Sequence, residues 1–188
     1  MPLEVERKRA IGDHADQVEE RLVARGWRQA APVAEVDTYY SRPDVDYLRT
    51  VECLRVRRRN GFAEITYKPS STDATRRSDG VVAKRETNVA LADEAGEAEA
   101  LLEAVGMVFL TRVEKTRVVW HHPERSDTSV AVDKVGGVGA FVEVEVISAD
   151  ADQAAAELSR VEAELDLARY PVMTLPYRDL VRAASRST

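Results

Sequence analysis

The sequence predicts an α+β protein of about eight mostly antiparallel strands with helices packed outside them. Several short segments alternate apolar and charged residues at i, i+2, the period of a strand. Three other stretches carry apolar stripes at helical spacing, two of them opened by an aspartate that can cap the helix and the third by Gly12-Asp13. At 188 residues the chain is long enough for one sizeable core and too short for two comfortable ones, so residues 1–188 are read as a single domain.

Leu3-Glu4-Val5-Glu6-Arg7-Lys8 is the first strand, with Glu4, Glu6 and Lys8 on one face and Leu3, Val5 and Arg7 on the other. A helix follows, with Asp13 as N-cap, Ala15, Val18, Leu22 and Val23 as its stripe and Gly26 as its stop. Val33 to Ser41 reads as a strand carrying Asp37, Tyr39 and Tyr40, and Arg42 to Val51 as a loop. Glu52 to Arg59 alternates Leu54 and Val56 with Cys53, Arg55, Arg57 and Arg59. Asn60-Gly61 turns a hairpin into Phe62 to Lys68, with Glu64, Thr66 and Lys68 sharing a face. Polar Pro69 to Gly80, which holds Arg76 and Arg77, is expected to be a mobile loop.

Val81 to Leu91 reads as one strand, with Lys84, Glu86 and Asn88 on one face. A helix capped by Asp93 has Ala98, Leu101, Leu102 and Val105 as its stripe and ends at Gly106. Leu110 to Trp120, Ser129 to Val135 and Ala140 to Ile147 look like a meander, turning at His121 to Asp127 and at Gly136-Gly137-Val138-Gly139. Asp150 caps a third helix with Ala154, Leu158, Val161 and Leu165 inward, and Pro176 to Ala183 closes the chain as a short helix. The two halves share a plan of strand, helix and several strands, a repeat of pattern without residue identity.

A net charge of −6 argues against binding a nucleic-acid polymer through overall field, although basic residues cluster at Arg55 to Arg59. The single cysteine, Cys53, excludes an internal disulfide and a cysteine zinc cage. With no apolar run near 18 residues and no signal-peptide core, a cytoplasmic protein without membrane attachment is expected. His14, His121 and His122 lack metal-ligand spacing, and the Gly136 to Gly139 run lacks the Lys-Ser/Thr of a phosphate loop.

The charged faces carry the functional argument. Glu4, Glu6 and Lys8 share a face, as do Arg55 with Arg57, Lys84 with Glu86, Lys115 with Arg117, and Glu143 with Glu145, and each set lies opposite largely apolar positions. Three amphipathic helices must cover those apolar faces, which turns the charged faces inward. A barrel interior lined with charge cannot be dry, because unpaired buried ions cost several kcal/mol each. It must hold water, ions and a charged ligand. The glutamate pairs offer hard oxygen ligands for Mg²⁺ or Mn²⁺, and the basic residues offer donors to phosphate oxygens. A sheet with one solvated face and cross-strand ion pairs is the alternative, and it accounts for any single pair but poorly for all five.

Glu4-Val5-Glu6-Arg7-Lys8 resembles the ExExK signature of the CYTH superfamily, also called triphosphate tunnel metalloenzymes. The similarity extends in order through Asp37-Thr38-Tyr39-Tyr40, Leu54 to Arg57, Thr66-Tyr67-Lys68, Lys84-x-Glu86, Val113 to Arg117, Asp133 before the glycine-rich turn, and Phe141 to Glu145. The resemblance implies a closed, eight-stranded, mostly antiparallel β-barrel, a triphosphate tunnel with helices packed outside. It also implies that Glu4, Glu6, Glu143 and Glu145 are metal carboxylates for Mg²⁺ or Mn²⁺. Lys8, Arg55, Arg57, Lys68, Lys84, Lys115 and Arg117 would bind triphosphate. Lys8 and Asp133 are the catalytic candidates. Asn88 stands where relatives often have a second glutamate, so a second metal would be held more weakly.

The layout resembles class IV adenylyl cyclase-like proteins, which implies conversion of ATP to cyclic AMP and pyrophosphate. The alternatives are a triphosphatase acting on inorganic tripolyphosphate or on nucleoside or thiamine triphosphate, and a non-catalytic polyphosphate or nucleotide sensor. The expected partners are a nucleoside triphosphate or inorganic polyphosphate, with a homodimer open.

Overall fold

A computed structural model describes residues 3–59, 61–93 and 95–186. Ten strands form one sheet: β1 (Leu3–Ala10), β2 (Arg28–Gln29), β3 (Val33–Ser41), β4 (Cys53–Arg59), β5 (Phe62–Lys68), β6 (Val82–Lys84), β7 (Thr87–Leu91), β8 (Val108–His122), β9 (Arg125–Val135) and β10 (Gly139–Ser148). The helices are α1 (Ala15–Ala24), α2 (Tyr47–Thr50), α3 (Glu97–Ala104), α4 (Ala151–Glu164) and α5 (Tyr177–Ser185).

The path runs β6-β1-β10-β9-β8-β3-β4-β5-β7, with short β2 beside β8, and the ladders along it are antiparallel. Two meanders, β3-β4-β5 and β8-β9-β10, meet at the β3–β8 ladder. The strand leading each half pairs with the last strand of the other: β1 with β10, and β7 with β5. This is the pattern repeat realised in space. The antiparallel α+β architecture of the sequence reading is present as a curled sheet. In place of eight strands in a closed ladder, nine lie along the path with β2 beside β8, and the ladder is open along one seam between β6 and β7.

That seam corrects the reading of Val81 to Leu91 as one strand. Arg85-Glu86 break it, and the two parts take opposite ends of the sheet path. The two edges are therefore two residues apart in the chain, so covalent connection brings the ends of the sheet together. Lys68 on β5 reaches Glu4 on β1 at 2.6 Å, across a seam that the ladder does not bridge. The wall curls round on itself.

The outward faces are apolar where helices cover them. Val5, Val118, Trp120, Val130, Val132, Val142, Val144 and Val146 pack in one core with α1 and α4, through Val18 and Leu22 of the first helix and Leu158 and Val161 of the second. A second core puts Ala98 and Leu102 of α3 on Tyr40, Val56 and Ala63. Val23, Leu101 and Val105 lie outside these stripes and are exposed. Asp150 caps α4 as expected, accepting from the amides of Asp152 and Gln153. Asp93 accepts from the Gly96, Glu97 and Ala98 amides at the start of α3. Asp13 makes no cap, since it lies in a single 3₁₀ turn ahead of α1.

Other boundaries differ locally. The expected loop Arg42 to Val51 contains α2, capped by Asp46. His121 and His122 end β8 and Arg125 to Asp127 begin β9, so that turn is shorter than expected. Asn60 of the hairpin turn lies outside the described residues. Among the described residues no helix is long and apolar enough to cross a membrane.

Arg7 and Arg9 are exceptions on the outward face of β1. Glu162 of α4, 2% exposed, accepts from Arg7 at 2.6 Å and from Arg9 at 2.6 and 2.9 Å. Replacing Glu162 by Ala leaves two buried guanidinium groups without their shared counter-ion, a loss of about 3 kcal/mol or more. The expected readout is a fall of roughly 6–12 °C in melting midpoint for a chain of this size. An unchanged midpoint would show that the pair contributes nothing net.

Candidate active site: the charged interior of the barrel

The inward positions surround a cavity of about 340 Å³. Glu4, Glu6 and Lys8 come from β1, Arg55 and Arg57 from β4, Lys68 from β5, Lys84 from β6, Lys115 and Arg117 from β8, and Glu143 and Glu145 from β10. The inward face of each strand follows from its two-residue period. Of the residues singled out from sequence, Asp133 alone does not line the cavity. It is fully buried behind it and accepts from Arg117 at 2.7 and 2.5 Å and from the Tyr177 hydroxyl at 2.9 Å. Burial works against its charge, but Arg117 overrides this and holds the carboxyl well below the usual range. Asp133 fixes the direction of the Arg117 guanidinium.

The basic residues divide by what holds them. Arg57 makes a bidentate pair with Asp37 at 2.7 and 2.8 Å, and Arg117 bridges Asp133 and Glu143, the latter at 2.5 Å. Lys115 lies 3.2 Å from Glu35 and 3.6 Å from Asp133. Its own burial, with Arg117 and Arg57 nearby, pulls its pKa down to about 8. Arg55 is the least engaged: Asp37 and Glu86 are each 3.7 Å away, and its buried Nε has no hydrogen-bond partner. Lys84 donates to the carbonyls of Val51 and Pro69, and Lys8 to that of Leu175.

The acidic residues separate too. One oxygen from each of Glu4, Glu6 and Glu145 lies within 4.8 Å of the others. Glu143 does not join them, being engaged by Arg117. Lys68 enters the cluster instead, 2.6 Å from Glu4 and 2.7 Å from Glu86. Burial is the main force lifting the Glu4 carboxyl, to about 10, aided by its bond to Glu86 and the charges of Glu6 and Glu145 and opposed by Lys68. Glu145 is raised by burial and by Glu6. Glu86 is depressed in spite of its burial, through Glu4 and Lys68. This crowded set of oxygens fits a hard divalent cation, whose charge would take the place of the retained proton.

Sequence reasoning placed Glu86 on a charged inward face and Asp37 in the family pattern without giving either a site role, and passed over Glu35 and Tyr177 as site residues. Glu35 and Asp37 carried a signal, inward-facing acids on a strand directly beside the arginines of β4. Although the Pro176 to Leu180 stretch belongs to the cyclase-like layout, Tyr177 carried no sign of facing the site. It projects from α5 into an apolar cluster with Tyr39, Val113, Val135 and Phe141, residues at one end of their strands, so α5 closes that end of the barrel. Lys8 Nζ lies 4.1 Å from the centre of its ring. Arg178 anchors the same helix through the carbonyls of Tyr47 and Glu52.

An antiparallel barrel wall with helices outside and charge inside defines a tunnel-type α+β protein. The CYTH domain model matches residues 2–170, and the chain belongs to that family, whose triphosphate tunnel enzymes depend on divalent metal. A Methanocaldococcus jannaschii protein named "Putative adenylate cyclase" is 24% identical over 181 residues, covering 95% of this chain and 98% of that one. A Pyrococcus horikoshii OT3 structure superposes with a TM-score of 0.77 at 24% identity, over 96% of this chain and 98% of that one. A Hippeastrum "putative adenylyl cyclase", described as revealing a dominant triphosphatase activity, gives 0.70 at 15% identity over 97% and 96%.

Tyr177→Phe keeps the ring that closes the barrel and removes the hydrogen bond to Asp133. A loss of about 1.5–3 kcal/mol in urea denaturation is expected, the range for a bond to a charged group. No shift in the urea midpoint would mean that Asp133 is held by Arg117 alone.

Proposed function

We propose that this chain is a metal-dependent enzyme that binds a triphosphate in the barrel interior and cleaves a phosphorus–oxygen bond of it. The observation that carries the reading is the pairing of an oxygen-only cluster, Glu4, Glu6 and Glu145, with an arginine whose buried Nε is unpartnered, in one cavity. Arg55, Arg57, Lys115 and Arg117 bind and orient the phosphate chain, with Asp37, Glu35 and Asp133 fixing the direction of three of them. Lys8, Lys68 and Lys84 complete the basic lining. Glu143 acts through Arg117, while Glu4, Glu6 and Glu145 would hold Mg²⁺ or Mn²⁺. Such an ion, when bound, supplies charge neutralisation and Lewis-acid polarisation of a phosphoryl oxygen. Of the two catalytic candidates, Lys8 faces the cavity and can touch substrate; Asp133 cannot.

The geometry favours hydrolysis of a compact triphosphate such as inorganic tripolyphosphate. The cavity, about 340 Å³, is at the lower end of the roughly 300–1,000 Å³ range of small-molecule sites. Its aromatic lining residues, Tyr39 and Tyr177, are both buried at the end that α5 closes, so among the described residues no ring at the cavity is free to stack on a base. Cyclisation of ATP to cyclic AMP and pyrophosphate is the second reading. It is favoured by the relative named "Putative adenylate cyclase", which is matched over 98% of its length.

Incubation with tripolyphosphate or ATP plus Mg²⁺ or Mn²⁺, with products resolved by chromatography, separates these. Orthophosphate supports hydrolysis, and cyclic AMP with pyrophosphate supports cyclisation. Tight binding with no turnover of either would make the protein a sensor. Glu6→Gln and Arg55→Ala should each lower turnover by about 10²–10³-fold, the scale for losing one preorganised charge contact. Two folded variants with full activity would sink the assignment.

The affinity for tripolyphosphate should fall as pH rises above about 8. Lys115 is protonated below that value and neutral above it. Binding of the anion must then take up a proton, at a cost of up to roughly tenfold in affinity per pH unit. Lys84, which lines the same cavity, is also pulled down to about 8, chiefly by burial. Lys115→Arg should therefore flatten part of that limb, and Lys115→Arg with Lys84→Arg most of it. Calorimetry across pH 7 to 9.5 is the check, and an alkaline limb surviving both substitutions would assign it elsewhere.

A further inference from the structure

We propose that Arg76 and Ser71, on the strap between β5 and β6, form a further phosphate subsite beside the seam and set the length of phosphate chain the protein accepts. The proposal rests on the triphosphate reading above and adds residues that the inward strand faces do not include. Both line the same cavity.

Arg76 differs from most of the basic lining in its partner. Arg57, Arg117, Lys115 and Lys68 face carboxylates, Glu86 in the case of Lys68, which offset their charge before any ligand arrives. Arg76 has no carboxylate within ion-pair distance among the described residues; its guanidinium donates to the main-chain carbonyl of Thr174. A carbonyl is a neutral acceptor, so the positive charge stays available to an anion. Ser71 supplies the second observation. Its hydroxyl is buried at the cavity and has no hydrogen-bond partner, while its amide is fixed on the Thr50 carbonyl at 2.9 Å. Unmet buried hydroxyls are uncommon and ask for a partner. A guanidinium fork and a free hydroxyl lining one cavity suit phosphate oxygens.

Pro69 to Gly80, expected as a loop, makes several contacts with the elements around it. Asp79 accepts from Arg7 at 3.1 Å, and Arg7 is in turn held by Glu162. Arg77 points outward to Asp152 at 2.8 Å. Main-chain bonds from Arg77 to Val81 and from Ala83 to Thr75, both 2.9 Å, tie the strap to β6. Gly80, at φ +84, leaves no room for a Cβ, which would stand 2.3 Å from Val172. Arg76 therefore faces inward from a backbone anchored on both sides. A diphosphate held by Arg55, Arg57 and Arg117 has no need of the strap. A third phosphate reaches it and replaces the Thr174 carbonyl on Arg76.

The test is calorimetric titration of the full chain in EDTA with pyrophosphate and with tripolyphosphate, for wild type, Arg76→Ala, Arg76→Lys and Arg77→Ala. Arg76→Ala should weaken tripolyphosphate binding about tenfold or more, the scale of a charge-assisted hydrogen bond, and leave pyrophosphate within about twofold. Arg76→Lys should fall between, and Arg77→Ala should match wild type. Equal loss for both ligands, no loss for either, or the same loss in Arg77→Ala would overturn the strap subsite and leave the barrel reading standing. Wild type binding neither ligand in EDTA would overturn the subsite, and the turnover assay with Mg²⁺ or Mn²⁺ then decides the barrel reading separately. Circular dichroism melts of each variant separate lost folding from lost binding.

Discussion

Ions placed inside a curled β-wall are stripped of most of their water, and each must meet a counter-ion, a fixed dipole or a retained proton. Most of this protein's interior geometry follows from that requirement. Asp37 with Arg57, and Asp133 with Arg117 and Glu143, are solutions built from neighbouring strands, and both use the planar fork of arginine. Lys115 is stabilised less completely, which shows in its depressed pKa. Where two partners are not available the molecule uses carbonyls, as for Lys8 and Lys84. Pairing also makes the interior stiff. A paired arginine presents its remaining donors in a fixed direction, which a solvated side chain cannot do without losing rotamer entropy on binding.

The exchange of leading strands between the two halves explains how such a wall is assembled. A simple meander would leave two edges, each a row of unpaired backbone groups. Here β1 completes the second meander and β7 the first, and the chain between β6 and β7 joins the two edges directly. Glu86 sits in that two-residue junction, close enough to Lys68 and Arg55 for ion pairing. The site and the closure of the fold thus share one short segment.

Strand periodicity made most of this legible. β3 and β5 have the bounds read from sequence, and the inward sets on β1, β4, β8 and β10 follow from alternation alone. Val81 to Leu91 misled because the alternation of Lys84, Glu86 and Asn88 continues through the break; a two-residue period records which face a side chain takes and is blind to a change of partner strand. The stripe positions Leu101 and Val105 are exposed because α3 lies over few strands and buries only Ala98 and Leu102. Which acid meets which base was beyond reach, since it depends on register across strands far apart in sequence. Glu143 looks identical to Glu145 along β10, yet one faces Arg117 and the other the carboxylate cluster.

The same register explains why Lys68 stands among acids although its place in the pattern marks it for phosphate. Glu4, Glu6, Glu86 and Glu145 are close enough that their mutual repulsion must be relieved; Lys68 relieves part of it, and the rest shows in the raised pKa values of Glu4 and Glu145. A divalent charge at the cluster would do so more completely and would remove the need for the lysine there. Lys68 would then be free to face phosphate, from a strand that adjoins β4 and its Arg55. The acidic and basic residues of this interior are therefore coupled: how much positive charge the barrel can offer to a triphosphate depends on what neutralises the glutamates. The two ligands, cation and anion, should bind with positive cooperativity for a reason that lies in the resting charge balance of the protein itself.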